Sequence, residues 1–317
     1  MNLELAAERY NRLPEASYRD TRYIDLSHWA DGERTRRAAQ RDLGRRTARA
    51  TFSALPSNIR DREFIDRPVT ILFPGTLIPA SATFREQLPV IEDSSKPVLL
   101  DYSDRRFSQE ILRSQVVDFI ESPPVNGRDV NLIGFSFGAA NVIDLLSHEP
   151  SVRERIRRVI LMGALFSSHD LKNSLGYRVV KALHPVVREG TLWPVVPLLR
   201  RRVKVNDDPM LLGQEGGIHG SKAAVSHKAF AERAASVVSR DPIETLGQIT
   251  DIPTLFFYWE NDESDPGRRL VLAKAFPNSE TVHVSGNHGH TISESHEINP
   301  EIGRFLEPSH EELLAAA

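Results

Sequence analysis

The pentapeptide Gly134-Phe135-Ser136-Phe137-Gly138 sits where an apolar run, VNLIGFS (130–136), meets an apolar helical pattern, FGAANVIDLLSHE (137–149). A serine on a sharp strand-to-helix turn is lifted above the sheet edge. Small residues on both sides let the two backbones approach, and the helix N-terminus faces the reacting centre. These are the requirements of a nucleophile that attacks a carbonyl carbon. A serine hydroxyl at its ordinary pKa is a weak nucleophile, so this chemistry also needs a base and an acid that orients it. The acid is expected after a later strand, and PTLFFYWENDESDP (253–266) supplies Asp262, three residues beyond Trp259. Its neighbours Glu260 and Asp265 read as solvated loop carboxylates. The base is expected after the last strand and before the closing helix, where VHVSGNHGHTI (282–292) offers His288 and His290, with His283 inside the strand itself.

Acyl chemistry of this kind also needs two backbone N–H donors for the developing oxyanion. Phe137, first residue after the nucleophile at a helix start, is the candidate for one. The other is expected in the loop after VTILFPG (69–75), at Pro74-Gly75-Thr76-Leu77, where Gly75 permits a tight turn and the Thr76 amide, or else that of Leu77, can point inward. Other chemistries fit less well. His283, His288 and His290 are close in sequence, but no His-Glu-x-x-His pattern accompanies them, so no metal is expected. The glycine-rich GQEGGIHGSK (213–222) has Ser221 before Lys222, the reverse of a phosphate loop, and no cofactor is expected. A carboxylate-nucleophile mechanism would leave Ser136 without a purpose.

The elements that must position these groups form a regular pattern. Six apolar runs, at 69–75, 96–103, 130–136, 156–164, 253–259 and 280–286, read as strands, and a helix is expected over roughly 108–121. Continuous apolar strands separated by helices predict an α/β fold: a mostly parallel central sheet with helices on both faces. Residues 68–164 and 253–317 would form that core. The intervening 165–252 is too long for one crossover and reads as an inserted helical cap. Within it, residues 183–203 combine Trp193 and many aliphatic side chains with Arg200, Arg201 and Arg202, while Pro185, Pro194 and Pro197 forbid one long helix. Lining the pocket above Ser136 is the preferred placement; lying on a lipid surface is the alternative.

Residues 1–67 differ from the rest. They contain no lysine, seven arginines between Arg34 and Arg49, and no Val- and Ile-rich strand run, so a mainly helical extension is expected. Over the 317 residues, 40 Lys and Arg balance 43 Asp and Glu, which removes the electrostatic reason to expect nucleic-acid binding. Cysteine is absent, excluding disulfides, thiolate metal sites and cysteine nucleophiles. No apolar stretch approaches the ~18 residues of a membrane helix, and the acidic start does not suit a signal peptide, so a cytoplasmic location is expected.

From Pro68 to Leu306 the chain resembles an α/β-hydrolase-fold serine hydrolase. Pro74-Gly75-Thr76 stands where many members have His-Gly, and DYSDRRFS (101–108) resembles an Asp-x-x-Gly-x-Gly-x-Ser stretch without its glycines. LGQITDIPTLFFYWENDESDP resembles the segment leading to the acid, with Trp259 replacing a glycine. The resemblance implies a Ser136–His–Asp262 triad acting through an acyl-enzyme. His290 follows a small residue, as the base usually does, whereas His288 lies at the more usual distance from the closing helix; His290 is preferred and both are carried. The expected substrate is a small-molecule ester or thioester with an apolar acyl or aromatic portion, met by Phe135 and Trp193. Acyl transfer to an acceptor other than water, and ligand binding without catalysis, are the alternatives.

Overall fold

The computed structural model of the chain describes residues 22–25, 50–54, 67–76, 80–103, 106–122, 125–164, 227–238, 249, 251–260, 266–286 and 295–307. Strands β3 (Val69–Phe73), β4 (Lys96–Asp101), β5 (Val130–Phe135), β6 (Ile156–Met162), β7 (Thr254–Trp259) and β8 (Ser279–Val284) are the six expected runs, with ends that differ by a residue or two. They pair in parallel in the order β4-β3-β5-β6-β7-β8. Strands β3, β5 and β7 are buried along their whole length, which is why their sequences read as nearly continuous apolar runs.

Two further strands extend the sheet, and the sequence announced neither. Strand β1 (Arg22–Asp25) runs parallel to β2 (Thr51–Ala54), and β2 pairs antiparallel with β4, giving eight strands in one sheet. Both further strands lie in residues 1–67, the stretch expected to be a mainly helical extension. RYID and TFSA are only four residues long and carry no Val- and Ile-rich run, so local propensity is silent about them. Tertiary contacts fix β2 instead: Phe52 is fully buried and stacks on Phe119 at 4.3 Å. Gln115 accepts from the Ala50 amide at 2.8 Å and donates to the Ala50 carbonyl at 3.4 Å.

Helices cover both faces. Residues alternate along each strand between two core layers, so Ile71, Phe73, Val98 and Leu132 face one way, and Leu72, Leu99, Ile133 and Phe257 the other. The first layer is closed by α3 (Gln109–Ile120), α4 (Phe137–His148) and α7 (Pro266–Ala275). The second is closed by α1 (Ala80–Thr83), α2 (Leu88–Ser94) and α8 (Ser295–Leu306). Ser108 caps α3 by accepting from the Ile111 amide at 3.4 Å, which starts the helix where the sequence places it. A short turn, α5 (Pro150–Arg153), follows α4, and α6 (His227–Val238) belongs to the long stretch between β6 and β7. No described helix is long and apolar enough to cross a membrane.

Candidate active site

Ser136 ends β5 and begins α4. Its backbone has φ 52° and ψ −113°, and among the described residues it is the one non-glycine with positive φ. L-residues enter that region at a cost of about 1–3 kcal/mol, and such residues persist only where the surroundings over-determine them. The surroundings do so here. The Ser136 amide donates to Met162 of β6 at 2.8 Å, and its carbonyl accepts from Ala140 at 3.2 Å, so strand and helix both continue through the turn. The hydroxyl does not cap α4.

The two flanking glycines are contact points between backbones. A methyl group on Gly134 would lie 2.6 Å from the Cα and amide nitrogen of Ala139, inside α4. One on Gly138 would overlap the Phe73 carbonyl and sit 2.7 Å from that of Pro74. Gly134 thus lets β5 meet α4, and Gly138 lets α4 meet the end of β3. The first turn of α4, which follows Ser136, is thereby set against the end of β3.

That loop is held from several sides. Tyr102, just past β4, donates its hydroxyl to the Pro74 carbonyl at 3.1 Å, and Asn141 of α4 donates to the same hydroxyl oxygen at 2.9 Å. Asp101 accepts from the Ala80 amide at 2.9 Å, where the chain enters α1. Arg233 of α6 donates to the Thr76 carbonyl and, at 2.8 Å, to the Ser103 carbonyl. Gly75 rests on the Phe135 ring, where an added methyl would lie 3.3 Å from two ring carbons.

No protein-family model matches the sequence, and no curated protein does. Solved structures do. An esterase from Exiguobacterium antarcticum superposes with a TM-score of 0.61 at 15% identity, over 82% of this chain and 96% of that one. A hydrolase from Pseudomonas aeruginosa gives 0.58 at 14%, over 76% and 91%. An enol-lactonase from Burkholderia xenovorans gives 0.52 at 14%, over 76% and 92%. The chain has the α/β-hydrolase fold.

In this α/β-hydrolase-fold chain, Phe135, Ser136 and Phe137 follow one another through the turn from β5 to α4, and Thr76 follows Gly75, which lies against the Phe135 ring. Asp262, His288, His290, Leu77 and Trp193 lie outside the described residues. Described residues reach close to three of them: Glu260 ends the turn after β7, and Gly286 precedes the histidine segment by two. His283 is exposed on the edge strand β8, and no cluster of metal-binding side chains occurs among the described residues. Both phenylalanines beside Ser136 are packed. Phe137 is 1% exposed and meets Tyr102 and Phe107 edge to face, with ring centroids 5.3 and 5.2 Å away. Phe135 is 6% exposed and meets Trp259 edge to face at 6.1 Å.

Sequence reasoning missed Asp101, Tyr102, Asn141 and Arg233. A faint signal existed for two of them. Asn141 is a lone amide in an otherwise apolar half-helix, and Arg233 interrupts the small and apolar AFAERAASVV (229–238). A polar group on an apolar face needs a partner, and here each partner belongs to the same loop or its neighbour.

Beyond the end of β8, Glu297 of α8 accepts from the Ser285 amide at 3.1 Å. That backbone hydrogen bond, helped by the Ser285 hydroxyl, holds the Glu297 carboxyl below the usual glutamate range. Ser285 stands three residues before His288, so this contact fixes the entry to the segment that carries both candidate bases.

Proposed function

We propose that the chain is a serine hydrolase that cleaves an ester or thioester through an acyl-enzyme. The observation that carries this reading is the backbone of Ser136: a residue with a side chain occupies a glycine-favoured conformation between two glycines that are themselves backbone contact points. An ordinary strand-to-helix turn has no use for that arrangement. A nucleophile that must stand clear of the sheet does.

In this mechanism the Ser136 hydroxyl attacks the acyl carbon while His290, or His288, takes its proton. Asp262 holds the imidazole in the required tautomer. The oxyanion is met by the Phe137 amide at the start of α4 and by the amide of Thr76 or Leu77. The imidazolium then protonates the leaving alcohol or thiol as its bond to the acyl carbon breaks. Water, deprotonated by the same histidine, releases the carboxylic acid and regenerates Ser136. The roles of Asp262, His288 and His290 rest on their order along the chain after β7 and β8. Support for an ester substrate comes from the similar structure named an esterase. Because Phe135 and Phe137 are used in packing, preference for an apolar acyl group falls to the insertion, with Trp193 as its candidate. A small-molecule substrate and a cytoplasmic setting complete the reading.

The test is labelling by a fluorophosphonate probe together with a panel of acyl-chain esters and thioesters. Wild type is expected to be labelled and to turn over part of the panel. Ser136→Ala is expected to lose labelling and at least about 10⁴-fold in kcat, the scale on which nucleophile removal acts. Absence of labelling in folded wild type would overturn the assignment.

A further inference from the structure

We propose that Arg233 is a positioning residue for the oxyanion loop, through which the insertion helix α6 controls catalysis. The proposal rests on the serine-hydrolase reading and adds to it a residue that touches neither substrate nor nucleophile. Arg233 lies 157 residues from Thr76 in sequence and is 3% exposed. Burying a guanidinium is costly unless hydrogen bonds replace its water. Here it donates to the Thr76 and Ser103 carbonyls, which belong to the loops after β3 and β4, and it lies over the Tyr102 ring at 5.2 Å. Its neighbour Glu232 accepts from the Phe107 amide at 2.6 Å, so α6 grips the loop after β4 through two successive residues.

The consequence follows from peptide planarity. The Pro74 carbonyl belongs to the peptide unit 74–75, which Tyr102 pins. The Thr76 carbonyl belongs to the unit 76–77, which Arg233 pins. Between them lies the unit 75–76, which carries the Thr76 N–H. With both neighbours fixed, that unit is left with one crankshaft rotation about the line joining its Cα atoms, and the Phe135 ring lies against Gly75 on one side. Tyr102 is a local clamp, one residue past β4. Arg233 comes from the insertion, so the seating of α6 and the aim of the oxyanion donor are one event.

The experiment compares wild type, Arg233→Lys and Arg233→Ala in hydrolysis of p-nitrophenyl butyrate, with fluorophosphonate labelling and thermal melting on the same samples. Arg233→Ala is expected to lower kcat about 10- to 100-fold, as loss of aim at an oxyanion donor does, with little change in KM. Guanidinium at tens of millimolar is expected to restore part of that kcat, whereas sodium chloride at equal ionic strength is not. Arg233→Lys, which keeps the charge but cannot span both carbonyls in the same way, is expected to fall between, and it carries the test if the alanine variant does not fold. A folded variant with wild-type kcat would overturn the role of Arg233, as would a loss confined to KM or one that guanidinium leaves untouched. Wild type that neither labels nor turns over would overturn the hydrolase reading itself.

Discussion

The centre and the edge of the sheet, from which the proposed triad is drawn, are built in different ways. At the centre, Ser136 is set by backbones in contact: β5 against α4 at Gly134, and α4 against β3 at Gly138. The polar groups that hold the neighbouring loops after β3 and β4, Asp101, Asn141 and Arg233, are at most 3% exposed. At the edge, β8 is largely solvated, and α8, which shares a buried layer with Val284, also reaches it through charged and hydrogen-bonded contacts at the surface. Arg304 of α8 meets Glu280 of β8 at 2.7 Å and Glu301 of its own helix at 2.9 Å, with side chains between 35% and 55% exposed. The Ser285–Glu297 contact is exposed as well. Steric contact between main chains does not respond to salt or pH, whereas exposed charge pairs respond to both. The nucleophile should therefore be robust to conditions and fragile to small added volume, and the surface contacts of the edge should respond to salt and pH.

The largest effect is expected from one methyl group at the centre. Gly138→Ala places a carbon against the carbonyls of Phe73 and Pro74, and neither can swing aside as a side chain would. Overpacking of this kind costs about 1–3 kcal/mol, and backbone overlap belongs at or above the top of that range. Either α4 moves off β3, carrying Ser136 with it, or the protein loses stability. Melting temperature and fluorophosphonate labelling should fall together. A Gly138→Ala protein that melts and labels like wild type would mean that α4 and β3 are not in this contact.

A smaller effect of opposite sign is expected at Ser136. If the φ of 52° is strain held for function, Ser136→Gly should relieve it and raise stability. The net gain is expected to be about 1 kcal/mol: the strain of about 1–3 kcal/mol less the cost of ordering a glycine. Urea denaturation of Ser136→Gly against Ser136→Ala isolates this, because both remove the hydroxyl and only one removes the side chain. Equal midpoints would show that Ser136 is unstrained and remove the main support for its role.

The same contrast explains what the sequence could convey. Strands β3, β5, β6 and β7 are buried on both faces and were legible as apolar runs. The elbow was legible because close backbone approach demands Gly134 and Gly138 by type. Strands β1 and β2 were not, since Phe52 is held by Phe119 and by Gln115 contacts that no local pattern encodes. Tyr102 and Arg233 act on backbone carbonyls, and a carbonyl leaves no trace in the identity of the residue that bears it. Thr76 could therefore be named as a donor candidate from its place after Gly75, while the pairing of Tyr102 and Arg233 with the Pro74 and Thr76 carbonyls came only from three-dimensional proximity.

The smallest effect concerns the edge. The Glu297 carboxyl sits below the usual glutamate range because the Ser285 amide donates to its charged form. A group with a depressed folded-state pKa stabilises the fold above its unfolded pKa, about 4.3 for glutamate. That contribution is lost as pH falls through the lower folded value. Glu297→Gln keeps the shape and an acceptor oxygen but removes the charge, so the variant reports what ionisation adds. At pH 7 it is expected to melt slightly below wild type. The gap should close on the acid side of the glutamate range, where the wild-type carboxyl is itself protonated, and it should shrink with salt at pH 7. Ser136→Ala paired with Glu297→Gln should show no coupling in melting temperature, because one residue belongs to the centre and the other to the solvated edge. A melting difference independent of both pH and salt would show that Glu297 holds Ser285 by shape alone, and that the edge is less electrostatic than its exposed charges indicate.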